Sequence, residues 1–158
     1  MSSPQKRKGS DFERLTAEIL NKLIRKSLWK RVAGSGALGT IMAEPTLSSD
    51  VKGKVESIPQ EFKIECKVGY NPSKDKEVKA FTLKKEWLDK IREEADRSYG
   101  IPILVGKFSG AREGVKVFVA MDVEVFADLI NKITELKEEN EKQYTTRIVG
   151  TDSTILPR

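Results

Sequence analysis

Apolar residues at Phe12, Leu15, Ile19 and Leu23 recur at helical spacing and lay one stripe along an opening helix. Ser10 stands at its start with Glu13 three residues on, a capping-box spacing, and the helix is expected to reach about Lys26. Leu28 to Ala33 reads as a short strand, and the stretch from Gly34 through Pro45 as a long loop. Leu47 to Gly53 and Gln60 to Val68 are the next strands, joined through residues 54–59, with a charged Gly/Asn/Pro/Ser loop over 69–80. A second helix is predicted over Leu83 to Ser98, with Leu83, Trp87, Ile91 and Ala95 on one side and Gly100 and Pro102 to stop it. Ile101 to Val105 has the continuous apolar character of a buried strand, and Val115 to Ala120 follows as another. Asp122 then caps a third helix to about Glu141, with Phe126, Leu129, Ile130, Ile133 and Leu136 expected to face inward. The order α–β–β–β–α–β–β–α predicts a three-layer α/β fold, a central mixed sheet flanked by helices. Residues 1–9 read as a flexible basic arm, 10–142 as one domain, and 143–158 as a mobile tail.

Composition narrows the chemistry. The chain has 158 residues, enough for one core, and no apolar run of the roughly 20 residues that a membrane helix needs. The basic N-terminal stretch lacks the apolar segment of a secretory signal, and the single cysteine, Cys66, has no internal disulfide partner. Both features predict a cytoplasmic, reducing setting. There is no histidine, which excludes Ser-His-Asp and Cys-His catalysis, His-based zinc sites and imidazole acid–base chemistry. A net charge of +5 suits a polyanionic partner, although any charge-rich soluble protein can show the same balance.

The strand through Glu61 and Lys67 carries the most specific pattern. Alternation puts Phe62, Ile64 and Cys66 on one face, with Cys66 an inert core thiol, and Glu65 and Lys67 on the other. A carboxylate that holds a hard cation beside a lysine that orients the attacking water suits metal-dependent phosphodiester hydrolysis, and the Cys66 carbonyl is a further candidate ligand. Glu61/Lys63 points the same way and is the rival register, and a solvated face of ion pairs would need no chemistry at all. Asp50 is the natural second acid, one strand–turn–strand unit before Glu65, and is also well placed as an ordinary turn residue. Glu44 competes with it. Glu13, at the margin of the first helix's apolar face, is a third acid whose capping role alone would explain it. The Gly34-Ser35-Gly36 turn lacks the Gly-Lys-Ser/Thr ending of a nucleotide loop, so no nucleotide cofactor is expected. Ser35 in such a loop can donate to a DNA phosphate, and Lys6, Arg7, Lys8 and Arg14 can grip the backbone. Trp29 and Trp87 read as packing residues.

Five segments occur in a telling order: Lys6 to Arg14, Ala33 to Gly36, Ser49-Asp50, Ile64 to Val68, and Gly100 to Phe108. Together, over roughly residues 6–130, they resemble the archaeal-type Holliday junction resolvases, a branch of the PD-(D/E)xK nucleases. The resemblance implies a restriction-endonuclease-like fold and a homodimer with two active sites. It also implies paired, symmetric nicking of four-way DNA junctions with Mg²⁺, for which Mn²⁺ substitutes. It assigns Glu13, Ser35, Asp50, Glu65 and Lys67 to the active site, with Asp50, Glu65, Cys66 and Glu13 around the metal. Lys8 and Arg14 match the basic N-terminal signature. Ser49 stands where the proline that names the superfamily would be, the loop from Ser35 to Asp50 is longer than usual, and the charged segment 137–158 has no counterpart. A different PD-(D/E)xK nuclease, sequence-specific or acting in repair, and a non-catalytic nucleic-acid-binding protein are the alternative readings.

Overall fold

The computed structural model describes residues 4–33, 49–69 and 80–151, with side chains over 9–33, 49–69 and 80–144. Its elements follow the predicted order. They are α1 (Pro4–Leu23), β1 (Ser27–Arg31), β2 (Val51–Val55), β3 (Ile58–Val68), α2 (Lys85–Asp96), β4 (Ile101–Lys107), β5 (Val117–Ala120) and α3 (Val123–Thr151). The five strands lie in one sheet in chain order. The β1–β2, β2–β3 and β4–β5 pairs are antiparallel, and β3–β4 is parallel, with α2 as its crossover.

Alternation on β3 sorts the two faces. Cys66 lies against Thr16 of α1, its thiol 3.6 Å from the Thr16 hydroxyl, so Phe62, Ile64 and Cys66 look toward α1. Their parallel-register partners Ile101, Ile103 and Val105 share that face and complete a core with Phe12, Ala17, Trp29 and Val51. Lys63, Glu65 and Lys67 therefore look toward α2, which contributes buried Ile91 and Ala95 to the opposite layer. Glycines make room for large rings on both faces. A Cβ at Gly53 would sit 2.0 Å from the Trp29 ring, which crosses this position to meet Phe62 at 5.3 Å between centroids. A Cβ at Gly106 would fall 2.2 Å from Phe118, which stacks edge-on with Phe81 at 4.9 Å.

The edge strand β1 is tied to α1 by one side chain. Asn21 donates its amide N–H to the Trp29 carbonyl and accepts from the Trp29 N–H, both at 2.9 Å, so it takes the place of a missing neighbouring strand. Lys26, at φ 52°, turns the chain between helix and strand. The hairpin β2–β3 closes through Glu56 and Ser57 alone, with Val55 paired to Ile58, rather than through the longer link read over 54–59.

Four local expectations differ. Helix α1 begins at Pro4, not at Ser10, so residues 4–9 are helical where an arm was expected; proline suits a first helical turn because its missing N–H is not needed there. Ser10 is consequently inside the helix and Glu13 is free of a capping role. Helix α3 continues to Thr151, past the expected stop at Glu141 and into the segment read as a tail. Residues 1–122 and 123–158 are separate compact units, a division earlier than the boundary at 142. Within the second, Phe126, Ile130 and Ile133 of α3 are exposed, not inward-facing: periodicity shows that a face is apolar but not that anything covers it. Among the described residues, no helix is long and apolar enough to cross a membrane.

Gly53→Ala should be destabilising by about 1–3 kcal/mol, because the added methyl drives into a buried indole that packs against Phe62. Urea unfolding of the two proteins measures it; equal midpoints would show that the Trp29 ring shifts without cost.

Candidate active site

The hairpin brings two acids together. Asp50 precedes β2, held by its N–H to the Ile64 carbonyl and by its carbonyl to the Val32 N–H, both at 2.9 Å. Since Val51 pairs with Ile64, Asp50 falls beside Glu65 and Cys66, and its Oδ2 accepts from the Cys66 N–H at 2.8 Å. This register places the two Glu-x-Lys pairs differently. Glu65/Lys67 lies beside Asp50. Glu61/Lys63 forms an ion pair of its own at 2.7 Å, with the Lys63 side chain only 1% exposed.

Glu65 is 2% exposed, and two lysines reach it. Lys67 donates to Oε1 at 2.5 Å and lies over the Trp87 ring at 5.3 Å from its centroid, so a cation–π contact restrains it as well. Lys90 of α2 donates to Oε2 at 3.1 Å. One turn further on, Glu94 pairs with Lys90 at 3.6 Å and accepts from the Ser49 N–H at 3.0 Å. Neither Lys90 nor Glu94 stood out in the sequence, where a Lys–Glu pair at four-residue spacing looks like any exposed helix pair. The available signal is that each directly precedes a residue of the helix's apolar stripe, Lys90 before Ile91 and Glu94 before Ala95.

Electrostatics at Asp50 are those of a crowded acid. Burial chiefly, and then the negative charge of Glu65, push its carboxyl from 3.8 up to about 6; the Cys66 N–H pulls the other way, and Glu13 adds to the rise. Burial works to lower the Lys90 ammonium, but the charges of Glu65 and Glu94 outweigh it and hold the group above its ordinary value. The Cys66 thiol, raised by burial to about 12, stays protonated and supplies no thiolate ligand; only its backbone is available to a cation.

The other candidates are placed unevenly. Glu13 points from α1 to Arg31, its Oε2 2.5 Å from the guanidinium, and acts on Asp50 through charge. Arg14 is exposed and pairs with Asp11 at 3.3 Å. Lys6, Arg7 and Lys8 belong to the first turns of α1. Ser35 and Glu44 lie outside the described residues. Among the described residues, no three acidic or thiol groups converge as a ready-made metal cage. The donor set instead fits a cation that keeps most of its water: two carboxylates, one at the entry to β2 and raised by burial and then by the other's charge, and one on β3, beside a backbone carbonyl at Cys66. Mg²⁺ is held in this manner, through one or two carboxylates, more often than by an all-protein cage.

Comparison with known proteins adds a family. Residues 4–155 match the family described as "Phage putative PDDEXK endonuclease". No curated protein matches. Among solved structures, a Holliday junction resolvase from the archaeal hyperthermophile Archaeoglobus fulgidus is similar over 76% of this chain and 88% of its own, at 18% identity and a TM-score of 0.41.

The raised Asp50 carboxyl has a pH signature in metal-free protein. Between about pH 4 and 6 the folded chain keeps a proton that the unfolded chain has lost, so stability falls as pH rises through that window and the penalty is complete above it. Asp50→Asn, whose amide oxygen can still accept from Cys66, should therefore be more stable than wild type at pH 7.5 by up to about 3 kcal/mol, with the gain vanishing near pH 4. Urea unfolding in EDTA at the two pH values tests this; a loss of stability at pH 7.5 would contradict it.

Proposed function

The chain belongs to the PDDEXK endonuclease family, and from that premise we propose that it is a structure-selective DNA endonuclease that resolves four-way junctions with Mg²⁺, working as a homodimer. The observation that carries the reading is the convergence of Asp50, Glu65 and Lys67 where β2 begins and β3 ends, with one acid aimed by the Cys66 N–H and the other buried among ammonium groups. Junction selectivity rests on the ordered set of motifs from Lys6 to Phe108 that resembles the archaeal resolvases.

Asp50, Glu65 and the Cys66 carbonyl would hold the ion, with Glu13 contributing charge from the α1 side. When bound, Mg²⁺ supplies Lewis acidity to a phosphate oxygen and lowers the pKa of water. Lys67 positions the attacking water and stabilises the negative charge that builds on the phosphorane-like transition state. The bond from water oxygen to phosphorus would form as that water gives up a proton to solvent, the bond to the 3′-oxygen would break, and solvent would protonate the leaving oxygen, since the chain has no histidine to do so. Lys6, Arg7, Lys8, Arg14 and Ser35 would contact phosphates, which positions the duplex arms and makes binding salt-dependent.

A labelled mobile four-way junction incubated with Mg²⁺ tests the reading. Paired symmetric nicks are expected from wild type. In Lys67→Ala they should fall by roughly 10²–10³-fold or more, while junction binding in gel shift with Ca²⁺ is retained. Cleavage of linear duplex as readily as junctions would keep the nuclease and remove the junction assignment. Tight binding with no turnover in any divalent cation would favour the non-catalytic reading, and unchanged turnover in Lys67→Ala would remove that residue from the mechanism.

A further inference from the structure

Ser49, immediately before Asp50, combines three features. Its φ is 76°, in the left-handed region that a residue with a side chain occupies at a cost. Its side chain is buried, at 3% exposure for the residue, and among the described residues its hydroxyl has no hydrogen-bond partner. Its N–H is held by Glu94 of α2 at 3.0 Å. A proline here is impossible on two counts, since its ring fixes φ near −65° and it has no N–H to offer Glu94. The residue that names the superfamily is thus not merely lost; the backbone has taken a conformation that forbids it.

We propose that Glu94 is a positioning residue: by anchoring the Ser49 N–H it holds the left-handed turn that aims the Asp50 carboxylate at the Cys66 N–H and Glu65. The turn is a single residue long. The Asp50 N–H on Ile64 fixes the peptide plane that leaves Ser49, and Glu94 fixes the plane that enters it through the Ser49 N–H, so the two holds together set the left-handed φ of Ser49 between them. Helix α2 serves both halves of the site in this way, Lys90 reaching Glu65 on β3 and Glu94 reaching the entry to β2. The link to metal binding rests on the function proposed above; the link from Glu94 to Asp50 does not.

Two variants separate the hydrogen bond from the charge. Glu94→Asp keeps the charge and withdraws the acceptor by one methylene, whereas Glu94→Gln loses the charge and keeps an acceptor oxygen at the same reach. Amide hydrogen exchange of the full chain in EDTA reads the geometry directly, because the Cys66 N–H is protected by Asp50 Oδ2. In Glu94→Asp the Cys66 and Asp50 amides should exchange at least about tenfold faster, with the β4 amides of Leu104 and Val105 unchanged; in Glu94→Gln both should stay as in wild type. Unchanged Cys66 protection in Glu94→Asp overturns the proposal, and with loss in Glu94→Gln beside it would mean that charge and not the bond matters; equal loss in both variants overturns it too, since a retained acceptor would then give no protection. A uniform rise over the whole sheet would equally overturn it in favour of a general stabilising role. Titration with Mn²⁺ alone then tests the downstream reading. Affinity should fall about 10–100-fold in Glu94→Asp and be preserved in Glu94→Gln. Failure of the wild-type chain to bind Mn²⁺ would sink the metal site while leaving the exchange result to decide on Glu94.

Discussion

The organisation of this site follows from burying one carboxylate. Glu65 sits on the face of β3 covered by α2 and is almost completely withdrawn from water. An ionised acid there costs several kcal/mol unless it is paired and hydrogen-bonded. Lys67 from the same strand and Lys90 from the crossover helix answer that need. Their own excess charge is then distributed to the Trp87 ring on one side and to Glu94 on the other. Glu94 in turn is committed to the backbone at Ser49. A chain of compensations thus runs from the centre of the sheet to the entry of β2, and it ends beside the second acid of the site. Ammonium groups and divalent cations answer the same electrostatic demand, so the arrangement that stabilises the metal-free protein is one that a cation can inherit.

Asp50 occupies the opposite position in this scheme. Burial, and then the charges of Glu65 and Glu13, raise its carboxyl, against the pull of the Cys66 N–H that donates to it. The frame that keeps it there is local: a two-residue turn closes the hairpin, Gly53 lets Trp29 cross to Phe62, and Asn21 fastens the edge strand to α1, which carries Glu13.

Much of this was legible because strand alternation is a strict rule. The side on which Glu65 and Lys67 lie, and the facing of Cys66, followed from position alone. The choice between Glu65/Lys67 and Glu61/Lys63 did not, since both pairs obey the same alternation; it took the pairing of Val51 with Ile64 to put Asp50 beside one of them. Lys90 and Glu94 were hidden for a different reason. Helix α2 also carries Lys85/Asp89 and Glu93/Arg97 at the same spacing, and only the tertiary position of α2 separates a pair that reaches the sheet from those that face solvent. The beginning of α1 was misread because Ser10 and Glu13 satisfy a capping pattern that the helix, already under way from Pro4, does not use. The apolar stripe of α3 shows a limit of periodicity, which reports the character of a face and not its neighbour.

The closed hairpin has a consequence for how the protein is made. Asp50 and Glu65 are fifteen residues apart in sequence and meet through antiparallel pairing across a minimal turn, whereas the parallel β3–β4 ladder must wait for the whole α2 crossover to form. Contacts of short sequence separation lose less loop entropy and form early. The two acids therefore come together in a chain whose sheet is still incomplete, before Lys90 has been carried into place to neutralise them. Under the proposed function, both acids that would hold the cation thus belong to the piece of the sheet that needs the least of the chain to form.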